Sequence, residues 1–262
     1  MRKRAAQHER YVVKVLEKAL KMLDLYSRHE NAFTLDDLTK RTGLDKSTVY
    51  RIVRTMEKNG YIRYDQEDGL YRLGLRFLEL GAVLYSSTSI RKSAAPYLDG
   101  VARSLKATIL VGVIIDEQFF YIDKREGDSI LNIPSYLGAK IQPEDSFLGL
   151  TLLAFMEPAE RDRILKLQRA KHRRDHTSRS QAGLKTRLED AARKGYFLER
   201  GEFFEGVAEI GVPIRGAARN TVAALGACVQ DFRVSDKGLV SIVQELTHTA
   251  TLISKELGYQ GK

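Results

Sequence analysis

The 262-residue chain carries 43 Lys+Arg against 34 Asp+Glu, a net charge of +9, with one Cys and 43% hydrophobic residues. That balance excludes wholesale disorder and a single Cys excludes an intrachain disulfide framework, so a cytoplasmic globular protein of one large or two modest domains is expected. No apolar run nears the ~18–20 residues of a membrane helix, and the basic, mixed N-terminus does not read as a secretory signal.

Residues 1–85 hold 17 Lys+Arg and 12 Asp+Glu, and the remainder holds 26 and 22, so positive charge is denser in the first third. Such a bias fits a nucleic-acid face or general solubilising charge, and the pattern of elements must decide. Val12, Leu16, Ala19, Leu20 and Leu23 recur at spacings of three and four, which predicts an amphipathic helix. Thr34 can cap a second, short helix with Asp37 in its first turn, burying Leu35 and Leu38 and ending near Arg41. Gly43 suits the left-handed turn that follows. Asp45 caps a third helix from Lys46 to Asn59, with Val49, Ile52, Val53 and Met56 facing inward. The runs Tyr61–Tyr64 and Leu70–Leu73 flank Asp65-Gln66-Glu67-Asp68-Gly69 and read as a β-hairpin.

Leu75–Tyr85 reads as a linker helix, followed by a polar joint of serines and a domain boundary near residue 87. Beyond it the spacing predicts a helix around Ala94–Leu105, strands at Thr108–Ile115 and Phe119–Lys124, and a short strand at Ile130–Ile133. Helices opening near Ser146 and at Pro158 come next, then a basic stretch from Arg169 leading into a helix that Gly195 ends. Strands at Tyr196–Arg200, Val207–Ile214 and Thr221–Asp231 and a closing helix at Lys237–Leu257 complete an α+β domain around an antiparallel sheet.

The order from Thr34 to Asn59, helix, Gly-containing turn and helix, is that of a helix-turn-helix. Reading DNA needs a rigid helix narrow enough for the major groove, with donors near its N-terminus for phosphates and base edges. Lys46, Ser47, Thr48, Tyr50, Arg51 and Arg54 meet that need, and Arg63 and Arg72 place cations on a wing. The same three helices could instead serve only as a protein-interaction module, because fold analogy is not function.

The segments Ala19–Leu23, Gly43–Arg51, Gly60–Ile62 and Tyr71–Gly74 resemble the winged helix of IclR-family bacterial transcriptional regulators. Tyr136–Lys140, Leu148-Gly149, Leu152–Ala154, Gly195-Tyr196 and Gly206–Ile214 resemble the effector-binding domain of that family, so the likeness spans nearly the whole chain. The resemblance implies a winged helix-turn-helix over residues 9–74, a linker helix over 75–87 and a GAF-like effector-binding domain over 88–262. It implies a homodimer or dimer of dimers on double-stranded operator DNA, most often a repressor. The effector it implies is a small metabolite, commonly a carboxylate or aromatic acid. Carried over by position, the effector residues are Phe147, Leu148, Glu202, Gly206, Ala208, Gly226 and Cys228. Phe147 stands where the family commonly has a small residue, and Leu150 where it commonly has Lys. Both departures favour a small or apolar ligand, or none, over a bulky anion.

The other chemistry-bearing residues carry weaker signals. Cys228 lies in an apolar, strand-like run, where a free thiol is usually a core residue. His172 and His176 are four apart but sit in a cationic run hostile to a divalent ion. Glu202, Glu205 and Glu209 form a carboxylate cluster with no His or Lys fixed beside it by spacing. No nucleophile elbow, phosphate-binding glycine loop or H-E-x-x-H is present, so neither an enzyme nor a cofactor is expected.

Overall fold

In the computed structural model, which describes residues 12–27, 30–87, 89–127, 137–171 and 181–261, the chain divides between Tyr85 and Ser86. The first unit opens with α1 (Lys14–Leu23) and β1 (Ala32–Phe33), followed by α2 (Leu35–Thr42) and α3 (Lys46–Lys58). Thr34 and Asp37 form a reciprocal capping box at the start of α2, and Gly43 ends that helix at φ +67°. Both features satisfy backbone groups that a helix end leaves without partners. Asp45 caps α3 by accepting the backbone N–H of Thr48. The wing is β2 (Ile62–Tyr64) and β3 (Tyr71–Leu73). β1, which no spacing signal announces, pairs antiparallel with β3, giving a three-stranded sheet in the order β1-β3-β2. Met22, Phe33, Leu38, Val49, Ile52, Val53, Ile62 and Tyr71 form the core, so three helices and the sheet share one apolar interior.

α4 (Arg76–Ser87) follows the wing; Leu78 and Val83 are exposed along it, as is Leu75 just before it. Ser86 and Ser87, read from the sequence as part of a polar joint, belong to α4, and α5 (Ser89–Leu105) is helical from Ser89, with Pro96 inside it; Thr88 lies outside the described residues. Serine is only mildly unfavourable in a helix, so a short serine run does not have to break one.

The second unit is built on a six-stranded antiparallel sheet. Its strands are β4 (Thr108–Ile115), β5 (Gln118–Arg125), β6 (Lys140–Ile141), β7 (Phe197–Arg200), β8 (Val207–Arg215) and β9 (Thr221–Gln230), in the order β6-β5-β4-β9-β8-β7. Asp116 and Glu117, both at positive φ, make the tight turn between β4 and β5. Alternation sends Ile109, Val111, Ala208, Ile210, Val212 and Leu225 to one face, against α5 and α9 (Asp236–Glu256). The opposite face carries Leu110, Phe119 and Cys228 against α6 (Phe147–Phe155), α7 (Pro158–Lys171) and α8 (Gln181–Lys194). α6 is buried from Phe147 to Ala154 because two glycines let it approach the sheet. A Cβ on Gly226 would stand 2.5 Å from the Phe147 ring, and one on Gly211 would stand 2.1 Å from the Thr151 hydroxyl. The strand expected at Ile130–Ile133, together with His172 and His176, lies outside the described residues.

Candidate nucleic-acid interface and effector site

α3 turns Val49, Ile52 and Val53 into the core and leaves its other side to solvent. At its N-terminus the Asp45 carboxylate accepts the Ser47 hydroxyl at 2.6 Å, the Thr48 hydroxyl at 2.7 Å and the Thr48 N–H at 2.8 Å. The Ser47 and Thr48 hydrogen bonds hold that carboxyl well below the usual Asp range. Both hydroxyls expected to face phosphate are therefore already engaged in the cap.

The cations differ in how they are held. Lys46 pairs with Asp36 at 2.7 Å, and Arg54 pairs with Glu57 at 2.6 Å. Both pairs are solvent-exposed, and exposed pairs contribute only about 0–1 kcal/mol, so exchanging the carboxylate for a phosphate costs little. Arg51 is exposed and has no side-chain hydrogen bond or ion pair among the described residues, and Tyr50 beside it is 48% exposed. On the wing, Arg63 is exposed and lies 4.0 Å from Asp65. Arg72 is different: it forks onto Asp68 and reaches Asp65 at 3.1 Å, tying the two ends of the turn together. The structure thus gives Arg72 a role in shaping the wing, and leaves Arg51 and Arg63 as the more available cations.

The effector residues carried over by position do not all meet. Phe147, Leu148, Gly226 and Cys228 gather on the face of the sheet that α6 covers. Ala208 is buried on the other face, among the residues beneath α5 and α9. Strand alternation instead turns Glu209, its neighbour, toward α6, and Glu209 is fully buried. Glu202 sits in the loop after β7, where it shares the Arg187 guanidinium with Glu199. Gly206 ends that loop at φ +71°, and its carbonyl accepts the N–H of Asp231. Leu150 is buried within α6. Near the α6 N-terminus the Tyr121 hydroxyl lies 2.9 Å from Ser146 Oγ, and burial raises the Tyr121 pKa. The strand period in Val207–Val212 was the available signal that separates Glu209 from Ala208. Among the described residues no cluster of His, Cys, Asp or Glu could hold a metal ion, and no helix is long and apolar enough to cross a membrane.

A three-helix unit with a wing and a basic outer helix, joined through a helix to a sheet domain, is the build of a DNA-binding transcription regulator. Residues 15–66 match the family described as the IclR helix-turn-helix domain, and residues 82–255 match the family described as bacterial transcriptional regulator IclR C-terminal. The chain belongs to the IclR family of transcriptional regulators. It is 28% identical over 248 residues to the HTH-type transcriptional regulator XynR of Escherichia coli K12, covering 95% of this chain and 98% of that one. Among solved structures it is similar to an IclR family transcriptional regulator from Brucella abortus. The TM-score there is 0.76 at 27% identity, over 95% of this chain and 94% of the other. The fold is also shared with an IclR homologue from Microbacterium hydrocarbonoxydans that was solved in complex with 4-hydroxybenzoate. That match has a TM-score of 0.76 at 24% identity, over 93% of this chain and 98% of the other.

Proposed function

We propose that this regulator is an operator-binding repressor whose α3 enters the major groove, and whose DNA affinity is set by a small molecule in the C-terminal unit. The reading assigns two winged helices, one from each protomer of a dimer or of a dimer of dimers, to the halves of a pseudo-palindromic site. The observation that carries it is the exposed side of α3: Tyr50 and Arg51 project from a helix whose other face is fixed in the core. Lys46, Arg54 and Arg63 supply phosphate contacts around them, while Ser47, Thr48 and Arg72 hold the shape of the helix start and the wing. In the C-terminal unit the effector site is the sheet face beneath α6, with Phe147, Leu148, Gly226 and Cys228 on it and Glu202 and Gly206 in the bordering loop. No catalytic role is assigned to any residue.

An effector changes operator affinity only through unequal binding to two arrangements, and a coupling of about 1–3 kcal/mol gives a several-fold to hundredfold response. Selection of genomic fragments on the purified protein tests the reading. Fragments that outcompete scrambled DNA support it, whereas retention independent of sequence replaces it with the protein-interaction module.

A further inference from the structure

α3 completes a turn every 3.6 residues, so its buried stripe fixes which side chains point away from the core. Val49, Ile52 and Val53 lie in that core, and Met56 packs against it. Ser47, Arg51, Arg54 and Lys58, spaced by four, three and four residues, form the row on the opposite side, and all four are exposed. A helix lying in the major groove turns the middle of such a face toward the base edges and its flanks toward the phosphate walls.

Most members of the row are already committed. The Ser47 hydroxyl donates to Asp45, and the Arg54 guanidinium pairs with Glu57. Lys58 stands in the last turn, away from the helix N-terminus whose side chains enter the groove. Arg51 differs from the arginines around it. Among the described residues of the first unit, Arg41, Arg54, Arg63, Arg72 and Arg76 each have a carboxylate within 4.0 Å. Arg51 has none, and its guanidinium makes no hydrogen bond among the described residues. Ile52 and Val53, the two residues after it, are buried, so the root of the side chain is fixed while its head stays in solvent.

A guanidinium is a planar fork of N–H donors with no acceptor. In the major groove only guanine offers two adjacent acceptors, N7 and O6, that match such a fork. Adenine sets a donor beside its acceptor, cytosine presents a donor, and thymine presents one acceptor beside a methyl group. We infer that Arg51 is the residue that sets base specificity, and that it takes a guanine, through N7 and O6, in each half of the operator. The inference rests on the reading of α3 as the helix that enters the groove, and names a base which that helix selects.

The test uses the full chain and duplexes carrying a randomised segment, from which the wild type, Arg51→Ala and Arg51→Gln each select their own sequences. Arg51 is exposed, so both variants are expected to melt with the wild type. The wild type is expected to enrich a guanine in each half-site. Arg51→Ala is expected to lose the preference at that position alone, and Arg51→Gln to shift it to adenine, whose N6 and N7 a glutamine amide matches. On a single selected duplex, exchanging that guanine for adenine is expected to weaken wild-type binding by about 5–100-fold and to leave Arg51→Ala unchanged. 7-Deazaguanine, which lacks the N7 acceptor, is expected to weaken wild-type binding, whereas inosine, which keeps N7 and O6, is expected to bind as guanine does. A wild-type consensus without guanine, a guanine preference that either variant retains, or an equal loss with inosine and 7-deazaguanine overturns the inference but leaves DNA reading by α3 standing. An unchanged consensus with a shallower salt dependence in Arg51→Ala assigns the residue to phosphate, which also overturns it. No enrichment by the wild type removes both readings.

Discussion

In the N-terminal unit the cations of α3 and the wing stand at the surface, where Lys46 pairs with Asp36 and Arg54 with Glu57. In the C-terminal unit the polarity is reversed and internal: Glu209 is fully buried on a sheet face, beside a buried thiol and a buried hydroxyl. The difference follows from the size of what each region is built to meet. A duplex is a long polyanion that no protein of this size encloses, so its binding runs through exposed cations and the release of counterions. A small molecule can be enclosed, and a few buried polar groups then decide its chemistry. Stability is distributed in the same way. The first unit has capped helices and one small core, whereas the second has a core on each face of its sheet, one of them beneath α6.

The contrast breaks most visibly at α6. Phe147→Ala removes a fully buried ring and is expected to destabilise the second unit by about 3–5 kcal/mol. Chemical denaturation followed by a probe in each unit checks this, and an equal loss in the first unit would deny the two units their independence. Gly226→Val attacks the same seat from the other side. Its Cβ meets Phe147 and Leu148 at 2.5–2.6 Å, so a loss of about 1–3 kcal/mol is expected by the same measurement.

Smaller effects sharpen the comparison in the reading head. Thr34→Ala removes one half of the capping box of α2 and is expected to cost about 0.5–2 kcal/mol, read from the unfolding of the first unit. Acid provides the finest probe. The folded Asp45 carboxyl has its pKa depressed by the Ser47 and Thr48 hydrogen bonds. Its contribution is therefore complete at neutral pH, starts to fall as pH enters the ordinary Asp range near about 4, and is lost progressively as pH drops from there toward the folded value. Asp45→Asn is expected to flatten that acid limb in a denaturation series from pH 7 to pH 2.

The reading head was largely legible in the sequence because its signals are local. Thr34, Asp37, Gly43 and Asp45 fix helix ends by chemistry within a few residues of themselves, and α2 and α3 begin and end within a residue of expectation. β1 was not legible: two residues carry no period, and Ala32–Phe33 becomes a strand only by pairing with β3 some forty positions on. β6 is hidden for the same reason. The serines around the junction show the opposite failure: read as a polar joint, Ser86, Ser87 and Ser89 lie in helices. At the effector site, resemblance brought Phe147, Leu148, Gly226 and Cys228 to one face but also named Ala208, which the pleat turns away. Glu209 was visible only as part of a carboxylate cluster. Its burial depends on the pairing of β7, β8 and β9, which no single segment encodes.

DNA reading by α3 is tested most directly at Arg51, an exposed cation of that helix. On a selected operator fragment, binding is measured across a range of salt concentrations for the wild type and for Arg51→Ala. Arg51→Ala is expected to weaken binding by about 1–3 kcal/mol, and to lower the steepness of the salt dependence by about one if its contact is to phosphate. Affinity and salt dependence both unchanged would take Arg51, and with it the proposed face of α3, out of the interface.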